Sequence, residues 1–297
     1  MSISIPTSGH WLSMGSVALP IVLIGALSLA LATQSGVVRF STASLPSPPT
    51  ILIAAGSFSY RQPGEFYRSG YAVDGPKAAE AMLRPVTIMK YQVSTMGYDT
   101  CVAEAACPAR ESVTPSLAHM PATGVSHDDA TAYARWFSEK TGVTWRLPSD
   151  KELAFAAGNR FPDDALGIDP SGNNPALRWL ADYEREAARK GSREPEPLAY
   201  GSFGESEHGL SDFAGNVWEW TSTCNRRVDL SIEGQAVTSE SCGVYIAAGK
   251  HRAPLSSFIR DPKSGGCSVG VPPDHVGFRL VKDTRWYAPV LYALHLG

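Results

Sequence analysis

The first 38 residues contain no Lys, Arg, Asp or Glu, and this uncharged start constrains the fold of the chain more than any other feature. It includes the apolar run VALPIVLIGALSLALA at residues 17–32. A helix that is apolar on every side must be surrounded by protein or lipid. This run reaches about 24 Å, less than the ~30 Å hydrocarbon core, whereas a helix over residues 11–38 is long enough to span it.

Small residues at Ala30–Ala32 also fit a signal-peptidase cleavage site. We therefore predict a signal anchor or a cleaved signal peptide over residues 1–38. Either one places the rest of the chain outside the cytoplasm. We expect a periplasmic protein that is anchored in the inner membrane or secreted after cleavage.

The composition of the whole chain is that of an ordinary globular protein. Apolar residues make up 43% and charged residues 19%, and the net charge is −3. This charge provides no electrostatic basis for binding nucleic acid. We therefore expect a protein or small-molecule partner of unknown identity, no nucleic acid, and membrane contact through the N-terminal segment.

Five cysteines agree with export, because disulfides persist in oxidising compartments. Cys101 and Cys107 are close enough to close a short loop, and we predict a disulfide between them. Cys224, Cys242 and Cys267 lie far apart in the C-terminal third, and two of the three could form a second disulfide. For Cys267 the simplest interpretation is a disulfide with Cys224 or Cys242. An odd number of cysteines leaves one thiol over or pairs it with another chain.

Ser and Pro residues predict an extended linker over residues 39–50, followed by a folded domain over 51–283. We predict a strand that begins at residue 51 and ends near Gly56, and a second strand within residues 84–94. The sequence after Gly191 is rich in Gly, Pro, Ser and Asp, which predicts mainly irregular chain over 200–283. An apolar, aromatic tail follows at 284–297.

Three helices are predicted from their capping residues. The first begins after Ser126, with Asp129 three residues later, and ends at Gly142. The second begins after Ser149 in an S-x-x-E capping box and ends at Gly158. The third follows the Asn-Pro pair at 174–175 and ends at residue 191.

Four segments resemble, in the same order, the motifs of the formylglycine-generating enzyme family, whose domain is also called the sulfatase-modifying factor domain. They are HMPATGVSHDDATAYARWFSEKTG (119–142), WRLPSDKELAFAAGNR (145–160), HGLSDFAGNVWEW (208–220) and PPDHVGFRLV (272–281). The resemblance covers roughly residues 52–282. It implies an α+β domain with the C-type-lectin-like sulfatase-modifying factor fold and little regular secondary structure.

The resemblance also implies a calcium site. Family members use the G-N-V-W-E-W motif for a structural calcium, which makes Asn216, Val217 and Glu219 the candidate ligands here. Backbone carbonyl and carboxylate oxygens are ligands that calcium accepts. The alternative is a calcium-free core, with both tryptophans of the motif packed inside and Glu219 in a salt bridge.

The chain departs from the family at the copper site. Formylglycine-generating enzymes oxidise a sulfatase cysteine to formylglycine and bind Cu(I) through two thiolates shortly before the final G-F-R segment. The equivalent region here, residues 250–279, holds Cys267 as its one cysteine. Because one thiolate cannot form a two-coordinate copper site, we expect no copper and no oxidation by the standard mechanism.

Cys267, His251 and His275 remain as candidates for catalysis. A lone cysteine needs an activating base or a positively charged neighbour. The histidines show no HxxxH or HxH spacing, and for each of them a surface or core role is the simpler interpretation. His127 stands where the family usually has Trp, and His208 lies at the edge of a motif near the substrate groove of the family. A histidine iron site is left open.

Two classes of function follow from the resemblance. One is an accessory or maturation factor, with or without oxidoreductase activity, for another periplasmic protein or a metabolite. A periplasmic protein of pyoverdine maturation is a family branch of this kind. The other is a non-catalytic, lectin-like binding module, since a fold alone does not determine activity. A true formylglycine-generating oxidase is a third interpretation, which the missing cysteine pair opposes. Whether the protein is an enzyme is left open, but any enzymatic role would be that of an oxidoreductase.

Overall fold

The computed structural model describes residues 22–28, 31, 45–165, 196–215, 217–231, 236–262, 275–288 and 290. Contacts divide the chain into two units, residues 43–284 and residues 1–42 together with 285–297. In the latter, residues 22–28 and 31 are helical (α1), and their large apolar side chains are each more than half exposed. No helix in the described part of the chain is long and apolar enough to cross a membrane.

Within its described residues, the unit of residues 43–284 combines three sheets with three helices. Its strands are β1 (Thr50–Ile53), β2 (Gly56–Arg61), β3 (Glu65–Arg68), β4 (Tyr71–Val73), β5 (Lys77–Met82), β6 (Val86–Met89), β7 (Trp145–Arg146), β8 (Val217–Asp229), β9 (Ala236–Ala248), β10 (Arg252–Ser256), β11 (His275–Gly277) and β12 (Val281–Lys282). Its helices are α2 (Thr95–Ala103), α3 (His127–Thr141) and α4 (Asp150–Ala157), and a single 3-10 turn follows at Gly158–Arg160.

The sheets bring distant parts of the sequence together. One sheet has the order β1-β6-β12-β7, and a separate pair joins β2 to β5. The largest sheet has the order β10-β9-β8-β3-β4, with β11 parallel to the first residues of β8. The strand predicted to end near Gly56 is β1, which ends earlier, at Ile53. A separate strand, β2, begins at Gly56, because the two segments pair with different partners.

Both predicted capping boxes are present. The Ser126 hydroxyl accepts from the backbone of Asp129, whose carboxylate accepts from the backbone of Ser126 in return. The same reciprocal pair joins Ser149 to Glu152 at the start of α4. Helix α3 ends at Gly142, which takes the left-handed conformation that glycine adopts without strain. These helices were predictable because their caps depend on residues three positions apart. The third predicted helix, over 175–190, lies outside the described residues.

Helix α2 is not predicted by the sequence. Its N-cap is Ser94, whose hydroxyl accepts from the backbone of Gly97 at 3.0 Å. A glycine in the first turn weakens the helical signal, and the β-branched residues before it favour a strand. Tyr98 and Cys101 of this helix are fully buried, so packing against the core stabilises a segment that has weak local preference.

The predicted disulfide between Cys101 and Cys107 is present, and it closes the chain at the end of α2. We expect the double substitution Cys101→Ser/Cys107→Ser to lower the free energy of unfolding by about 2 kcal/mol, the chain-entropy value for so short a loop. Urea unfolding checks this, with thiol titration confirming that the second disulfide is intact. An unchanged midpoint would show that the packing around α2, rather than the crosslink, holds this segment.

Residues 200–283 are more regular than the sequence predicts, because β8 and β9 are 13 residues long each. The two strands pair antiparallel, but register shifts interrupt the pairing between Trp220 and Cys224, at Cys224–Asn225 and at Arg227–Val228. Each shift breaks the alternation of inward and outward side chains. The sequence therefore lacks the period-two pattern by which such strands are predicted.

Two hydrophobic clusters form the core. The larger one lies between α2, α3 and the first residues of β8, and the smaller one packs α4 against β1 and β6. Ala130, Tyr133 and Phe137 lie on the buried face of α3 and are part of the larger cluster. Members of this cluster that are almost completely buried include Trp145, Trp220, Phe278 and Leu280.

Candidate functional site

Val217–Trp220 of the G-N-V-W-E-W motif lie in β8, the middle strand of the largest sheet. Val217–Trp220 are buried, because β11 and β9 flank β8 on its two edges and the core clusters cover its faces. The Trp220 indole donates to the carbonyl of Val125 at 2.9 Å. The dense motif is therefore a packing centre that joins β8 to the segment just before α3.

Glu219 is completely buried and forms a bidentate ion pair with Arg279 of the G-F-R segment. Arg279 Nε donates to Glu219 Oε2 at 2.5 Å, and Arg279 Nη2 donates to Oε1 at 2.6 Å. The Gln92 amide also donates to Oε1, at 2.8 Å. Arg279 uses its remaining N–H groups on the carbonyls of three residues, namely Met89, Lys90 and Ser211. The ion pair thus joins four segments that are distant in sequence, namely those around residues 89–92, 211, 219 and 279. The polar atoms of both side chains have hydrogen-bond partners.

This network does not fit calcium ligation by Glu219. Both carboxylate oxygens accept from a guanidinium whose fixed positive charge already balances that of the carboxylate. A calcium ion at this carboxylate would lie beside that cation in a buried site, which is electrostatically unfavourable. The salt-bridge alternative therefore describes Glu219. Asn216 lies outside the described residues, and calcium ligation by Asn216 or by the Val217 carbonyl stays a prediction.

His127 is buried where α3 meets the sheet. Its ring stacks on Tyr245 with centroids 3.5 Å apart and meets Trp220 edge-on at 5.7 Å. Burial lowers the pKa of His127 to about 4, although the neighbouring Asp128 opposes this shift. His127 Nδ1 lies 3.9 Å from the Asp128 carboxylate, but the ring is neutral at pH 7, so this is no ion pair there. His127 packs as an aromatic residue.

The two described catalytic candidates, His251 and His275, lie on different elements of the fold. His251 is buried in the turn between β9 and β10, where its ring meets Trp218 edge-on at 4.2 Å. His275 begins β11 and pairs with Val217 along the sheet. Cys267 lies outside the described residues.

Cys224 and Cys242 form the second disulfide, which links β8 to β9. The interpretation that Cys267 pairs with either of them is therefore wrong, because each sulfur is already bonded. Within the described residues, one group of side chains is close enough to share a metal ion, and it consists of Glu240 and these two cysteines. The disulfide removes both thiolates from that group, leaving a single exposed carboxylate.

A buried charge cluster behind α4 was not predicted. Asp150 is fully buried, and its Oδ2 accepts from the Tyr60 hydroxyl at 2.6 Å and from Arg252 Nη1 at 3.1 Å. Burial raises the pKa of Asp150, although Arg252 and Tyr60 act against the shift. Arg252 also pairs with Asp164 through Nε at 2.6 Å. The sequence shows no signal for this cluster, because Asp164 and Asp150 precede Arg252 by 88 and 102 residues.

Comparison with known proteins agrees with the motifs. The family described as sulfatase-modifying factor enzyme 1-like domain matches residues 36–284, and the chain belongs to this family. The formylglycine-generating enzyme of Mycobacterium tuberculosis is 29% identical over 194 residues, which are 59% of this chain and 61% of the relative. The inactive C-alpha-formylglycine-generating enzyme 2 of Bos taurus is 30% identical over 167 residues, which are 54% of this chain and 49% of the relative.

These alignments therefore span less than two thirds of either relative. Among solved structures, that of PvdO from Pseudomonas aeruginosa matches with a TM-score of 0.48 and 22% identity, over 80% of this chain and 94% of that chain. The family match confirms the predicted α+β class and the C-type-lectin-like sulfatase-modifying factor fold.

Proposed function

We propose that this protein is an exported, membrane-anchored member of the family that has lost copper-dependent cysteine oxidation and acts as an accessory or maturation factor for another periplasmic protein or a metabolite. One observation carries the proposal. The chain has five cysteines, and two disulfides use four of them, so one thiol remains by subtraction. One thiolate is too few for the two-coordinate Cu(I) site of the oxidases.

The scaffold around the motif supports a folded, functional role without that chemistry. The Glu219–Arg279 pair joins four segments, and the core around Trp220 is closely packed. A relative in cattle carries a name that marks it as inactive, so the family includes members without the oxidase activity. A retained scaffold with a lost metal site is consistent with a protein that recognises a partner rather than oxidising it.

Export and anchoring are supported by the first segment. Val22, Leu23, Ile24 and Leu27 of α1 are each more than 60% exposed, an arrangement that is unfavourable in water and favourable in lipid. The two disulfides require an oxidising compartment. Both observations support a periplasmic domain held at the inner membrane.

The proposal is tested by counting thiols and by assaying oxidation. In the denatured but unreduced full chain, purified from an oxidising compartment in mild detergent, we expect one titratable thiol, and five after reduction. A sulfatase-derived cysteine peptide with Cu(I) and oxygen should yield no formylglycine aldehyde. An active family oxidase is the positive control. Three free thiols, or formation of the aldehyde, would overturn the proposal.

A non-catalytic binding module is the second candidate, and a cavity of about 420 Å³ favours it. Tyr91 and Tyr200 stack at its wall with centroids 4.6 Å apart, and Trp136 and Pro49 also line it. The described lining contains no Cys, His, Asp, Glu or Lys side chain. Such a surface suits the recognition of an apolar group, and hydroxyl groups are all that its described lining provides for acid–base or nucleophilic chemistry.

A further inference from the structure

The Cys224–Cys242 disulfide lies on an exposed part of the largest sheet. Cys224 is half-buried and Cys242 is exposed, as are all the residues from 239 to 243 of β9. A Cβ on Gly243, the next residue after Cys242, would meet no atom within 4 Å. Within the described residues, the chain around Cys242 is therefore accessible to another molecule.

The other disulfide is enclosed by the core. Cys101 is 0% exposed and Cys107 is 7% exposed, and both belong to the larger hydrophobic cluster. A disulfide is cleaved by a thiolate that reaches one of its sulfurs, so access helps to determine which disulfide reacts. Of the two described disulfides, Cys224–Cys242 is therefore the one that an external thiol reaches.

The two strands hold the cysteines together independently of the disulfide. The Cα atoms of the two cysteines are 4.8 Å apart. On one side of the disulfide Cys224 pairs with Tyr245, and on the other Asn225 pairs with Ser241, so residues 242–244 form a bulge in β9. Because strand pairing continues on both sides, the two thiols stay neighbours after reduction, and the disulfide can form again.

Charges of both signs lie near the disulfide. A carboxylate oxygen of Glu240 is within 4.8 Å of both sulfurs. Arg226 faces Glu240 in register across β8 and β9, and its guanidinium donates to the side chain of Gln62 and to the carbonyl of Pro63. Since a cation and an anion share this neighbourhood, access rather than net charge determines which thiols react here.

The edge of β9 beside Cys242 is open among the described residues. Strand β10 pairs with residues 244–248 of β9, and the backbone N–H of Ser257 donates to the Gly243 carbonyl. Residues 236–242 have no described strand on that side. An open strand edge presents backbone N–H and C=O groups that an extended peptide can pair with. A peptide bound there lies next to Cys242.

We propose that Cys224–Cys242 is a thiol–disulfide exchange site that oxidises two reduced cysteines in an extended segment of a partner protein. A substrate thiolate attacks Cys242 Sγ, the Cys224–Cys242 bond breaks, and Cys224 leaves as a thiolate that takes up a proton. The second substrate thiolate attacks the substrate sulfur of this mixed disulfide and releases the Cys242 thiolate, which is also protonated.

The substrate thus loses two electrons and two protons, and the cysteine pair of this chain gains them, once per oxidised chain. The inference goes beyond the proposed function, because it adds to the recognition of a partner an oxidation that needs no copper. It requires neither Cys267 nor a membrane anchor.

Incubation of the oxidised full chain with an excess of reduced Cys-Gly-Gly-Cys peptide, in mild detergent and without oxygen, tests the proposal. We expect one peptide disulfide per chain, with Cys224 and Cys242 becoming open to alkylation in mass-spectrometric maps. Their disulfide should be reduced at least roughly tenfold faster than Cys101–Cys107. Cys224→Ser/Cys242→Ser should abolish peptide oxidation, whereas the matched variant Cys101→Ser/Cys107→Ser should retain it.

A monothiol identifies the sulfur that is attacked. Excess N-acetylcysteine, quenched with acid, should give a mixed disulfide at Cys242 and a free thiol at Cys224. Cys267→Ser should react like the parent protein, and the far-UV dichroism should stay native when the disulfide is reduced.

Five results would each overturn the proposal. They are equal reduction rates for the two disulfides, a mixed disulfide at Cys224, peptide oxidation by Cys224→Ser/Cys242→Ser, a slower reaction of Cys267→Ser, and loss of the native dichroism on reduction. None of these readouts involves copper or formylglycine, so failure of this inference is distinguishable from failure of the proposed function.

Discussion

Arg279→Met should lower the free energy of unfolding by about 3–5 kcal/mol, the largest effect expected for any single substitution considered in this protein. The variant removes the five hydrogen bonds of the guanidinium. It also leaves the Glu219 carboxylate buried with the Gln92 amide as its one remaining hydrogen-bond donor among the described residues. A buried charge without its counter-ion is strongly unfavourable, because the desolvation cost is no longer offset. Urea unfolding followed by tryptophan fluorescence measures the change.

Two further variants show whether the effect comes from the unpaired charge. Glu219→Leu/Arg279→Met removes both charges and should be less destabilised than Arg279→Met alone. Lys77→Ala breaks an ion pair with Asp163 whose two side chains are 44% and 43% exposed, and it should cost less than about 1 kcal/mol. If the double variant were as unstable as the single one, the Glu219–Arg279 pair would contribute through shape and not through charge.

Acidification should destabilise the protein through His127, and His127→Phe should reduce this dependence. The pKa of His127 is lowered from 6.5 to about 4 in the folded state because the ring is buried. The neutral ring makes its full contribution to the free energy of unfolding above pH 6.5. This contribution is lost as the pH falls from 6.5 to about 4, because the unfolded state binds the proton at a higher pH than the folded state does. The total change over this window is roughly 3 kcal/mol.

The comparison between variants isolates the histidine from other titrating groups. Unfolding free energies of the parent and of His127→Phe are measured at pH 7 and pH 5, and the loss on acidification should be about 2 kcal/mol smaller in the variant. Phenylalanine retains the ring contacts with Tyr245 and Trp220. His119→Gln, at an exposed position, should behave like the parent protein. An identical loss in His127→Phe and the parent would show that the buried ring titrates normally.

Local signals predicted the helices that have capping boxes. In α3 and α4 the cap depends on two residues three positions apart, so a few letters of sequence contain the whole interaction. Helix α2 was not predicted, because Gly97 weakens it locally and the burial of Tyr98 is a tertiary effect. The long strands were not predicted either, since three register shifts remove the alternation that indicates a strand.

In the candidate site, too, features that depend on nearby residues were predicted and contacts between distant residues were not. The order of four motifs predicted the family, and the spacing of Cys101 and Cys107 predicted their disulfide. The partner of Glu219 was left between a calcium ion and a salt bridge, because Arg279 lies 60 residues away. Nothing near Cys224 in the sequence indicates that it bonds to Cys242 rather than to Cys267.

The sequence by itself determined the uncharged first segment, the capped helices, the family and the absence of a second cysteine near the final motif, because each of these depends on neighbouring letters or on composition. The tertiary structure alone decided which charges are paired, which cysteine bonds to Cys224 and where cavities form. The physical reason is that β8 lies between β9 and β11, and this arrangement brings together groups that share no local pattern. Burial then determines their protonation and their need for partners.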